Sequence, residues 1–153
     1  MNQLQELLNQ LENHIPNHEK INTTISQSTV GWQLDHSLLV INGIIEHLKN
    51  SDPKSYQWKF NWIRTYIKII NKIPRGKGKA PKVVQPTESS TIEMLNIKLE
   101  AAKKSITELE ILNPNSHFKH PYFGVLNLKT TIWFLKLHTK HHIKIIEDIL
   151  KTY

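Results

Sequence analysis

Nine histidines stand in a chain of 153 residues, and three of them, His138, His141 and His142, are bunched near its C-terminus. Stepping about 100° per residue from His138 along a helix, Leu128, Leu135, Ile145, Ile146 and Ile149 fall on one side, centred near about 50°. His142 falls at about 40°, inside that apolar stripe, with His138 at its edge and His141 further out at about −60°. His138 and His142 are thus one turn apart and point toward a helical interior. An i, i+4 pair of imidazoles on one helix face can hold a metal ion, but two ligands bind weakly and a third must come from another helix. His36, in WQLDHSLLV, is the best candidate, because Leu39 and Val40 mark burial beside it. Three neutral imidazoles leave positions open for water or substrate, and a divalent ion there lowers the pKa of a bound water or thiol. The rival reading is packing: histidines on a helix face are often satisfied by carbonyls or a carboxylate.

Other residues attach to this candidate centre by position. Asp35 can orient an imidazole, or it faces water. His141 reads as a rim residue, and His47 as a surface or capping residue. Trp32 is core or pocket wall near His36. His120 can face a pocket mouth that Tyr122 and Phe123 cover. The run Arg75-Gly76-Lys77-Gly78-Lys79-Ala80-Pro81-Lys82 sets cations among glycines, where backbone N–H groups can approach an anion. It lacks the Walker spacing. Arg75 and Lys77 either hold an anionic part of a substrate or belong to a solvated basic loop.

The elements that must position these groups follow from periodicity. Leu4, Leu7, Leu8, Leu11 and Ile15 keep helical spacing until Pro16. Residues 29–50 are apolar on more than one side, as a buried helix is, and Ser51-Asp52-Pro53 ends them. A shorter helix is predicted over Trp58–Ile73, with Phe60, Ile63, Ile67 and Ile70 on one stripe and Trp62 packed against Tyr66. Prolines and glycines make 73–86 a loop. Glu88–Leu112 is predicted as a helix capped by Ser89 or Ser90, with Ile92, Leu95, Leu99, Ala102, Ile106 and Leu109 in its core stripe. HPYFG lies in a further loop, and a last helix of roughly 35 Å runs from Asn127 or Leu128 to Leu150. No run alternates with strand period for long. The expectation is a single all-α domain over 1–153, a four-helix bundle with one extra short helix and a long loop.

Composition bounds the function. With no cysteine there is no thiolate zinc site and no cysteine nucleophile, and a cytoplasmic location fits. No basic-then-apolar leader opens the chain. The longest apolar run, Leu38–Ile45, is broken by Asn42 and Gly43 and is far short of the ~20 residues that span a bilayer, so no membrane partner is expected. No serine-hydrolase arrangement or catalytic carboxylate pair is discernible. Nine of the twenty basic residues fall between Lys54 and Lys82, where no acid lies, against thirteen acids and eleven basic residues elsewhere. With Trp58, Phe60, Trp62 and Tyr66 among them, they offer an alternative function: a non-catalytic module binding nucleic acid or another polyanion through 54–82. Packed aromatics would argue against nucleic acid.

Together, GWQLDHSLLVI around His36, the loop PRGKGKAPK, the segment HPYFG and the final HTKHHIKII resemble the DinB/YfiT-like superfamily, and most closely a branch of it catalogued as a domain of unknown function. The resemblance runs from about Thr29 to Ile146. It implies an up-down-down-up four-helix bundle with a long crossover. It also implies a three-histidine metal site, carried onto His36, His138 and His142. Nickel, zinc, iron or manganese occupies such sites in relatives, and the ligand set does not choose among them. Relatives are often dimers. Some join low-molecular-weight thiols to electrophiles, the metal stabilising a thiolate, and others isomerise maleylpyruvate. A metal-dependent transferase acting on a small-molecule substrate with such a thiol is therefore the implied activity.

Overall fold

The computed structural model describes residues 2–76, 81–86, 90–151 and 153. It contains helix α1 (Asn2–His14), α2 (Val30–Lys49), α3 (Trp62–Ile70) and α4 (Ile92–Glu108), a hairpin of β1 (His117–His120) and β2 (Gly124–Asn127), and α5 (Leu128–Leu150). Single 3-10 turns stand at Ile15–Asn17, Pro53–Ser55 and Lys82–Val84.

Helices α1, α2, α4 and α5 pack on one another. Each supplies a stripe to one core: Leu4, Leu8 and Leu11 from α1, Leu34, Ile41 and Ile45 from α2. Leu95, Leu99 and Ile106 come from α4, and Leu135, Ile146 and Ile149 from α5. The polar break in the apolar run of α2 has a use. The Asn42 amide donates to the Lys98 carbonyl at 3.0 Å and clamps α2 to α4. Caps fix where the site-bearing helices begin. Thr29 Oγ1 accepts from the Trp32 N–H at 3.1 Å, and Asn127 Oδ1 from the Thr130 N–H at 3.1 Å. Among the described residues no helix is long and apolar enough to cross a membrane.

Four expectations are corrected. The chain is not purely α: His117–His120 pairs antiparallel with Gly124–Asn127, and His120 faces Gly124 across a three-residue tip. Four-residue strands are too short to show a period, and Gly124, at φ +69, takes the left-handed backbone that returns the chain. Helix α3 starts at Trp62 rather than Trp58, because Asn61 Oδ1 caps the Arg64 N–H at 2.8 Å; Asn71, at φ 47, ends it. Its aromatics are not packed: Trp62 and Tyr66 are exposed. Helix α4 is shorter than predicted, with Thr91 as its cap at 3.2 Å from the Met94 N–H. Ser90 instead donates to Asp35, Ser89 and Glu88 lie outside the described residues, and Ile92 is exposed.

Candidate metal centre

His36 sits in the second turn of α2, and His138 and His142 project one turn apart from α5. Packing of α2 on α5 brings the three rings together. His138 Nε2 is 3.2 Å from His36 Nε2 and 3.2 Å from His142 Nε2. One nitrogen from each of the three lies within 4.8 Å of the others. His36 and His142 are buried, and His138 is half-buried.

The far nitrogens determine which face each ring offers. His36 Nδ1 lies 2.7 Å from the Val84 carbonyl oxygen, which can only accept, so Nδ1 carries the proton and Nε2 is bare. His142 Nδ1 donates to Gln33 Oε1 at 2.6 Å, leaving its Nε2 bare as well. Gln33 is itself held, its Nε2 donating to Ser26 Oγ at 3.1 Å. Two bare lone pairs therefore converge on His138 Nε2. A neutral His138 has one proton and can satisfy one of them at most, and its buried Nδ1 has no partner among the described residues.

A cation resolves this conflict. A proton is disfavoured, because burial lowers the pKa of His36 and pushes His138 and His142 well below the usual imidazole value; the neighbouring imidazoles add to the push on the last two. A metal ion satisfies all three lone pairs and needs the neutral rings that burial enforces. The two spacings from His138 also fit. Two nitrogens bound at about 2.0–2.1 Å to one tetrahedral ion stand about 3.3 Å apart, close to the observed 3.2 Å.

Aromatic rings wall the centre. Trp32 stacks on His36, with centroids 5.0 Å apart and planes 16° from parallel. Phe134 lies 5.4 Å from His138 and 4.6 Å from His120, joining the hairpin to the centre. His120 stacks on Phe123 at 4.4 Å, and its Nδ1 accepts the N–H groups of Tyr122 and Phe123, both at 3.1 Å. The His120 proton is therefore on Nε2, and burial lowers its pKa to about 4. His141 meets His142 edge-on at 5.1 Å. Burial first, then the Arg75 charge, lowers its pKa to about 4.

The remaining sequence candidates fall further out. Asp35 does not orient an imidazole by hydrogen bond. Its buried carboxylate accepts from Lys98 Nζ at 2.7 Å and Ser90 Oγ at 2.9 Å, tying α2 to α4. Arg75 pairs with Asp148 at 2.8 Å, so α5 already engages its charge. Lys77 lies outside the described residues. Tyr122 stands at the exposed hairpin tip, while Phe123 is buried. Sequence reading missed Gln33, Val84 and Phe134. Gln33 precedes His36 by three residues, on the same helix face, which is a usable signal. Val84 acts through its backbone and leaves none.

The chain matches no protein-family model, no curated protein and no solved structure. The reading of the centre therefore rests on its own geometry.

Proposed function

We propose that this chain is a metal protein whose ion is held by His36, His138 and His142, and that it acts as a DinB/YfiT-like transferase on a small-molecule substrate with a low-molecular-weight thiol. The observation that carries the metal reading is the convergence of two bare Nε2 atoms on a third. The thiol reading draws on the resemblance, three of whose four segments meet here: His36 from the first, His120 and Phe123 from HPYFG, His138 and His142 from the last; residues 77–80 of the loop PRGKGKAPK lie outside the described residues. The up-down-down-up order of the helices and a homodimer belong to the same proposal.

A divalent nickel, zinc, iron or manganese ion bound there supplies Lewis acidity, which lowers the pKa of a water or thiol. The chain's own residues do the rest. Val84 and Gln33 fix the tautomers of two ligands. Trp32 and Phe134 keep bulk water from the ring faces. His120, with its proton on Nε2, is a donor at the hairpin side of the aromatic wall. Lys77, with Arg75, is the proposed contact for an anionic part of the substrate.

Cobalt(II)-loaded protein tests this reading. Added low-molecular-weight thiol should produce thiolate-to-cobalt charge-transfer absorption, which His138→Ala abolishes. A cobalt spectrum indifferent to every thiol tried would remove the transferase reading while leaving the metal centre standing.

A further inference from the structure

Helix α3 is amphipathic in the inverted sense. Taking Trp62 as zero and stepping about 100° per residue, Ile69, Trp62, Tyr66, Ile70 and Ile63 cover an arc from about −20° to about 100°. Of its two buried residues, Arg64, at about 200°, lies opposite that arc, and Ile67, at about 140°, flanks it. Five of the nine residues of the helix therefore form an apolar face turned to solvent, with Trp62 79% and Ile69 77% exposed.

This outward orientation is anchored. The buried Arg64 guanidinium donates to the Phe123 and Val125 carbonyls at 3.1 Å each, and to the Lys59 carbonyl. Asn61 Nδ2 adds a bond to the Tyr122 carbonyl at 3.1 Å. The hairpin thus holds the polar side of α3 and fixes its apolar side outward. A cluster of exposed apolar side chains on one helix face marks an interaction site.

The electrostatics select the occupant. No acid lies between Asp52 and Glu88 in the sequence. Next to the face is a cavity of about 430 Å³ lined by Lys59, Lys119, His117, Asn61 and Phe60. Phe60 also meets Trp62 edge-on at 4.7 Å, so cavity and face are continuous. Lys59 and Lys119 make no ion pair among the described residues. A second copy docked face to face would bring these cations together. Nucleic acid would use the aromatic rings but gains little from three isoleucines. Tryptophan, tyrosine and isoleucine rimmed by lysine is the composition that seats in an anionic bilayer surface.

We propose that α3 docks this protein on anionic membranes, its apolar face entering the headgroup–acyl boundary while the Lys59–Lys119 cavity takes a lipid phosphate. The proposal is independent of the metal centre and needs no spanning helix.

The test is co-sedimentation of the full chain with phosphatidylcholine vesicles, with and without phosphatidylglycerol. The protein should pellet with the anionic vesicles and weaken as salt rises. Trp62→Ser combined with Ile69→Ser, and separately Lys59→Glu combined with Lys119→Glu, should each lower affinity at least about tenfold. These positions are on the surface, so circular dichroism should show both variants folded, with metal content unchanged. Absence of pelleting with anionic vesicles, or wild-type pelleting by both folded variants, would overturn the proposal. So would tighter binding to a single-stranded oligonucleotide, which assigns the face to nucleic acid. A dimer abolished by the Trp62/Ile69 variant, in protein that ignores vesicles, would assign the face to self-association.

Discussion

His142 Nδ1 donates to Gln33 Oε1 at 2.6 Å, joining two residues 109 positions apart and linking a metal-ligand candidate on α5 to α2. The bond sets the tautomer of His142, and Ser26 holds Gln33 in place from behind. Gln33 is buried, so this acceptor has no easy replacement by solvent.

Gln33→Ala should therefore weaken metal affinity by about 10–100-fold without removing a ligand. Gln33→Glu, which keeps an acceptor at that point, should restore most of it. Competition titration against a chelator reads both. Equal affinity in wild type and Gln33→Ala would mean that the Gln33 bond does not position His142.

Asp35 is predicted to behave oppositely. Removing its carboxylate leaves Lys98 and Ser90 without a shared acceptor, at a cost of about 1–3 kcal/mol. Lys98 keeps partial access to water, which holds the cost to that range. Because Asp35 makes no hydrogen bond to an imidazole, Asp35→Ala should keep its metal. Urea unfolding and elemental analysis separate the two effects. Loss of metal from a folded variant would restore the imidazole-orienting role.

The buried histidines make stability depend on pH. In the unfolded chain they titrate near about 6.5. In the folded chain burial lowers all of them, His120 and His141 to about 4. Below the unfolded value the unfolded state binds more protons, so stability rises with pH. The contribution is complete above about pH 6.5 and declines as pH falls toward about 4. With chelator present, the urea midpoint should drop steadily between about pH 7 and pH 5. A flat midpoint would show that these imidazoles are as easily charged in the folded protein as in water.

Two glycines of α2 offer a matched pair. A Cβ at Gly43 meets nothing within 4 Å, so Gly43→Ala should gain up to about 1 kcal/mol of helix propensity. A Cβ at Gly31 would stand 2.9 Å from the His18 carbonyl oxygen, which the Gly31 N–H binds at 2.7 Å. Gly31→Ala must displace that backbone and should lose at least about 1 kcal/mol. Thermal unfolding of the two variants should shift in opposite directions; a shift of the same sign would contradict the close approach.

The helices and the histidine pair on α5 were legible because that helix is long enough for its apolar stripe to fix an inward direction. His36 was legible as a buried histidine in need of a partner. The groups that orient these ligands were less so. Gln33 is an ordinary polar residue until His142 arrives from the far end of the chain, and Val84 contributes only a carbonyl. The hairpin escaped because four residues do not make a period. Helix α3 shows the limit of periodicity itself: the spacing of Trp62, Tyr66 and Ile69 reveals an apolar stripe but not which side of the helix the rest of the fold covers. Arg64 settles that by occupying the inner side.

The proposed centre has three imidazoles holding one metal ion. The deciding measurement is elemental analysis of protein purified without a histidine tag or chelator, beside His142→Ala. The wild type should carry about one transition-metal ion per chain and the variant close to none. Metal-free wild type that takes up neither added zinc nor added nickel, or a variant that retains the full complement, would contradict it.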